Sequence, residues 1–162
     1  MHEIGHALVS ELVEPGSVAS VTIVPRGKSL GYMRKSPGND KYLYTREELE
    51  KQIMIALAGA VAEELKYENR STGAKGDFAS AWDTAKEIIA SGLSSLGVIN
   101  MEDVPDKLVY DESKRIVREL EDKTRDILNA NKDLLYIMAE RTREEEFFTR
   151  ERFIDFISGK KA

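Results

Sequence analysis

The chain of 162 residues contains no cysteine, which excludes disulfides and thiolate metal ligands and suits a reducing compartment. Long hydrophobic runs are also missing. The longest stretch made only of apolar residues and glycine, Ile53 to Ala62, is too short to cross a bilayer, and no basic-then-apolar leader precedes a small-residue cleavage site. The chain as given is therefore expected neither to span a membrane nor to be secreted. There is no excess of basic residues: a formal net charge of -5 argues against an electrostatic nucleic-acid binder. Repeats, coiled-coil heptads and low-complexity tracts are lacking, and histidine occurs only twice. What is present, 41% hydrophobic and 33% charged residues, fits a single globular domain over 1–162 with a sizeable core.

Both histidines lie in Met1-His2-Glu3-Ile4-Gly5-His6-Ala7-Leu8, an H-E-x-x-H pattern at the start of a helix. Helical residues four apart share a face, so His2 and His6 can offer imidazole nitrogens to one metal ion. Two neutral imidazoles hold zinc while leaving positions open, and the adjacent carboxylate of Glu3 can take a proton from water at such a position. A helix beginning at the second residue has no turn ahead of its first ligand. About two further turns upstream are therefore expected to tighten metal binding, by removing fraying and the terminal charge.

Along the chain, Ile4, Ala7, Leu8 and Leu12 form the stripe of a short amphipathic helix from His2 to about Val13, ended by Glu14-Pro15-Gly16. Val18, Val21, Ile23 and Val24 predict a strand within Ser17 to Pro25, and Leu30 to Met33 a second, paired strand; Arg34 to Tyr44 reads as a loop. Thr45 with Glu48 is a capping box opening a helix to about Tyr67, expected to be central, whose small residues around Gly59 admit another helix closely. A polar loop from Asn69 to Gly76 leads to a helix carrying Phe78, Ala81, Trp82, Ala85, Ile88 and Ile89. Residues Leu93 to Pro105 are irregular. Helices are predicted at Asp106 to Ala130, at Leu134 to Arg143 and from Thr149 onward, with Glu144-Glu145-Glu146 at the surface. The fold class is mainly α with a small β-sheet (α+β): residues 1–100 or so form a core with the H-E-x-x-H helix and a short edge-strand sheet, and about 106–158 a C-terminal helical bundle.

Catalytic zinc sites ordinarily have three protein ligands and one open position. With no third histidine and no cysteine, the missing ligand is Asp or Glu, and Glu63, Glu64, Asp77, Asp83 and Glu87 are all candidates. Asp77 is attractive at a loop-to-helix junction, yet capping alone would also account for an Asp there.

The chain resembles the peptidase domain of the FtsH-type ATP-dependent membrane zinc metalloproteases. The matching blocks are His2-Glu3-Ile4-Gly5-His6-Ala7-Leu8, Val21 to Gly27 with Leu30-Gly31-Tyr32, Ala58 to Glu64, and Ser71-Thr72-Gly73-Ala74 followed by Asp77, with a weaker match from Ile127 to Leu135. Together they cover nearly the whole chain. The resemblance implies a zinc endopeptidase acting on unfolded or extended polypeptides, with one Zn2+ per chain held by His2, His6 and Asp77, Glu3 as general base, and Glu63 supporting a ligand histidine. It makes Leu30, Gly31, Tyr32 and Met33 a substrate-binding edge strand, to which an extended peptide adds. It also implies a homo-hexamer, an ATPase module and a cytoplasmic location against a membrane; ATPase and transmembrane segments are not among these residues. Ala60 and Gly76 stand where family members usually have Arg and Asn. A module that binds zinc but only holds substrate is the competing expectation.

Overall fold

The first helix, α1 (His2–Val13), ends where Pro15 can offer no backbone N–H and Gly16 takes a φ of +92°. The structure is a computed structural model, and it describes residues 1–22, 32–35 (backbone only) and 43–159. Contrary to the expected one-sided stripe, every residue of α1 from Ile4 to Glu11 is buried, whereas Leu12 is 37% exposed. The reason is tertiary: α1 is enclosed by neighbours on several sides and not laid on a core by one face.

The strands β1 (Val18–Thr22) and β2 (Tyr32–Lys35) pair antiparallel, with Val21 opposite Met33 and Thr22 opposite Tyr32. Arg34 and Lys35 thus belong to a strand and not to the predicted loop. The predicted strand residues 23–25, Leu30, Gly31 and residues 36–42 of the predicted loop lie outside the described residues. A third strand, β3 (Phe147–Thr149), pairs with the other side of β1, giving the order β2-β1-β3. The sequence pattern predicts no strand there. The Thr22 hydroxyl donates to the Glu146 carbonyl at 3.1 Å, tying this join together.

Helix α2 (Arg46–Tyr67) begins as the capping box predicts, the Thr45 hydroxyl accepting from the Glu48 N–H at 3.2 Å. Its segment from Ile53 to Ala62 is the best-buried part, apart from the partly exposed Ala56. A Cβ added to Gly5 of α1 would come within 2.6 Å of the Ala62 Cβ and 2.7 Å of the Ala58 carbonyl oxygen. Glycine at position 5 is what lets the two backbones approach. A single 3-10 turn (Thr72–Ala74) then leads into α3 (Lys75–Ala90), so the predicted loop is shorter by two residues.

Helix α4 (Asp106–Ala130) buries Ile116, Leu120, Thr124 and Leu128 against α2 and α3, as its amphipathic spacing predicts. Next, α5 (Lys132–Glu145) extends two residues beyond expectation at either end and packs on α1, and α6 (Arg150–Ile157), the last helix among the described residues, has Phe153 fully buried. The Thr149 hydroxyl caps α6 by accepting from the Arg152 N–H. One contiguous buried cluster runs from Ile4 through Ile53, Ile88 and Leu120 to Phe153. Among the described residues, no helix is long and apolar enough to cross a membrane.

Candidate metal centre

The α1–α2 crossing and the first turn of α3 bring His2, His6 and Asp77 together. The His2 and His6 Nε2 atoms are 2.9 Å apart, and Asp77 Oδ2 lies 3.0 Å from the first and 3.1 Å from the second. Asp77 is not a cap. The N-cap of α3 is Ala74, and Asp77 sits inside the first turn, where a carboxylate is favoured by the positive end of the helix. That removes the capping account of its presence.

The opposite edge of each ring fixes which nitrogen holds the proton. His6 Nδ1 is 2.7 Å from the Ile55 carbonyl oxygen, which can only accept, so Nδ1 carries hydrogen and Nε2 keeps a lone pair. His2 Nδ1 donates in the same way to Glu63 Oε1 at 3.0 Å, and that contact fixes the orientation of the ring. With both rings neutral, two imidazole lone pairs and a carboxylate oxygen converge there. Such a triangle is repulsive until a cation occupies its centre.

In the metal-free chain, a proton meets part of that need. Burial by itself lowers the pKa of His2, but the hydrogen bond to Asp77 and the charges of Glu63, Glu3 and Asp77 outweigh it and raise the value above 6.5. For Asp77, burial acts to raise the pKa, and the two histidines overcome it, holding the carboxyl well below the usual carboxylate range. The donor set also fits zinc: two imidazoles and a carboxylate match a three-ligand site with an open position. Bonds of about 2.1 Å in a tetrahedron separate ligand atoms by about 3.4 Å, so the observed triangle needs to open by only a few tenths of an ångström.

The other carboxylate candidates are engaged elsewhere. Glu64 pairs with Arg70 at 2.8 Å and Arg125 at 3.0 Å, linking the end of α2 to α4. Asp83 and Glu87 lie on the exposed side of α3, lining a separate cleft with Tyr44 and Gln52. Glu3 is in the first turn of α1, partly exposed, outside the converging triad but near enough for its charge to act on His2. Tyr32 and Met33 lie in β2, an edge of the sheet among the described residues, while Leu30 and Gly31 are outside them.

Two participants are not foreseen from the sequence. Ser71 donates to the second oxygen of Glu63 at 3.2 Å while accepting from the Gly73 N–H, which connects the histidine's partner to the turn before Asp77. Gly59 forms the wall behind both imidazoles: a Cβ there would lie 2.5 Å from His6 Nε2 and 2.6 Å from His2 Nε2. The available signal is a glycine inside a helix, where alanine is the better helix former. Of the two departures from the resemblance, Ala60 is buried and Gly76 faces open space.

The family model described as "Peptidase family M41" matches residues 1–156. Among curated proteins, the chain is 32% identical over 154 residues to an "ATP-dependent zinc metalloprotease FtsH 2" of Thermoanaerobacter sp. (strain X514), covering 93% of this chain and 30% of that protein. It is 35% identical over 150 residues to the protein of the same name in Symbiobacterium thermophilum, covering 83% of this chain and 25% of the relative. With an "ATP-dependent zinc metalloprotease FtsH" of Acholeplasma laidlawii, identity is 36% over 155 residues, covering 83% and 24%. The chain spans less than a third of the length of each of these relatives.

Proposed function

The chain belongs to peptidase family M41, and from that membership we propose that it is a zinc-dependent endopeptidase module acting on unfolded or extended polypeptides. The observation that carries this reading is the meeting of the His2 and His6 Nε2 lone pairs with Asp77 Oδ2. His2, His6 and Asp77 would hold one zinc ion, which when bound supplies Lewis-acid polarisation of the scissile carbonyl and acidifies water. Glu63 and the Ile55 carbonyl keep the two imidazoles turned with Nε2 inward. Glu3 takes the proton from the attacking water and returns it to the leaving amine. An extended peptide adds to β2, an edge of the sheet among the described residues, so backbone bonding dominates recognition and sequence preference is weak. The whole chain acts as one domain. ATP dependence, assembly into a ring of six and a place on the cytoplasmic face of a membrane are proposed for a larger protease carrying an ATPase module, on family resemblance.

The test is zinc analysis combined with cleavage of an unfolded casein-like substrate. We expect one zinc per chain, and in Glu3→Gln undiminished zinc with cleavage reduced by roughly 100-fold or more. Cleavage that survives in zinc-loaded Glu3→Gln removes that residue from the role of base. A parent chain that binds zinc and cleaves nothing is instead a substrate-holding module.

A further inference from the structure

We infer that Gly59 is a positioning residue of the metal centre, kept without a side chain so that α2 can back directly onto the two zinc-ligating rings. This rests on the reading of His2, His6 and Asp77 as the metal ligands. The ideal Cβ at Gly59 would meet His6 Nε2 at 2.5 Å, His2 Nε2 at 2.6 Å and His2 Cε1 at 2.6 Å, against an ordinary contact near 3.5–4.0 Å. All three are side-chain atoms, and two of them are the nitrogens that face Asp77. A methyl group here therefore drives both rings back by about an ångström, the difference between the two distances.

Gly5, at the same helix crossing, shows why this is not simply close packing. An added Cβ at Gly5 meets the Ala62 Cβ at 2.6 Å and the Ala58 carbonyl oxygen at 2.7 Å, atoms held rigidly by the backbone of α2. At Gly59 the obstacle is the movable end of two side chains, so the helices can stay where they are while the rings leave. A cost to the metal-free fold is expected at Gly5, and a cost to metal binding at Gly59. Glycine also weakens a helix interior relative to alanine. A glycine retained at position 59 for packing alone has no further reason to stand opposite Nε2 atoms.

The experiment compares the full chain with Gly59→Ala, measuring zinc affinity by competition with a chromophoric chelator, the visible spectrum of the cobalt(II) form, and thermal unfolding of the metal-free proteins. Expected are a zinc affinity lowered by about 100-fold or more, comparable to or beyond the loss of an orienting partner, an altered cobalt spectrum, and a metal-free midpoint equal to or above the parent's. Zinc affinity within threefold of the parent, with an unchanged cobalt spectrum, overturns the inference while leaving the metal centre in place. A parent that takes up no zinc overturns both. Should Gly59→Ala fail to fold, the triple variant Gly59→Ala/His2→Ala/His6→Ala decides: recovery of folding shows that the rings were the obstacle, and continued failure shows that α2 packing requires the glycine.

Discussion

The two ends of α1 hold polar clusters of opposite kinds within one core. At its C-terminal end Glu11, 6% exposed, accepts from the Gly16 N–H at 2.9 Å and the Val18 N–H at 3.4 Å, and pairs with both terminal nitrogens of Arg150 at 2.8 and 3.2 Å. Arg150 also donates to the Val18 carbonyl at 2.6 Å. Every acceptor there meets a donor from the chain itself. At the N-terminal end, three groups that are all acceptors when the rings are neutral meet one another. A buried cluster satisfied internally is an anchor, joining α6 and β1 to α1; one left in need of a cation is the proposed metal site.

That contrast can be broken from either side. The largest effect is expected for His6→Ala and for His2→Ala, which should leave no stoichiometric zinc after dialysis, with Asp77→Ala weakening binding less completely; unchanged stoichiometry in Asp77→Ala would hand the third position to another carboxylate. Arg150→Ala acts on the anchor alone. Removing one partner of a buried pair costs about 3–5 kcal/mol, and since Arg150 is about one-third exposed the expected loss is about 2–3 kcal/mol in denaturant unfolding. Zinc affinity of the folded protein should be unaltered, and a large drop would show that the two ends are coupled.

The same anchor predicts an acid limb. Burial acts to raise the pKa of Glu11, but Arg150 and the Gly16 and Val18 N–H groups bring it below 4.5. A lowered folded pKa gives stability that is present above 4.5 and lost as the pH falls through the folded value. Arg150→Ala should flatten that limb of the stability profile, and an identical limb in both proteins would place its origin elsewhere.

Glu63→Gln is a milder change at the metal end, expected to weaken zinc by 10–100-fold, roughly what loss of a ligand-orienting partner costs. No change in a chelator competition would reduce Glu63 to a bystander. The smallest effect is a pH dependence. The raised pKa of His2 means that the proton bridging to Asp77 stabilises the metal-free fold fully below 6.5 and ceases to as the pH climbs through the raised value. Zinc must displace that proton, so its apparent affinity should rise as the pH climbs through the raised value and level off above it; a flat response in calorimetry would mean there is no proton to displace.

Much of this organisation is legible along the chain, and the exceptions share a cause. The bounds of α2 and α4 follow from a capping box and from 3.6-residue spacing, which are local properties. β3 is not legible because Phe147-Phe148-Thr149 is too short to signal a strand and becomes one only by pairing with β1, far away in sequence. The all-round burial of α1 is hidden for a similar reason, since it depends on what packs around the helix. For the five carboxylates that could supply the third ligand, composition offers no choice; only the α1–α2–α3 arrangement sends Glu64 to two arginines and Asp77 to the histidines.

Helical periodicity alone determined that His2 and His6 share a face with Glu3 between them, and the lack of cysteine and of a third histidine left only a carboxylate to complete the proposed ligand set. Tertiary structure decided which carboxylate meets the two histidines and which imidazole nitrogen faces inward, and it is the basis of the role proposed for Gly59. Each of these depends on atoms of α1, α2 and α3 brought within about 3 Å across long stretches of chain. Local propensity acts over a few residues and cannot specify such a meeting; the packing of three helices around a shared core does.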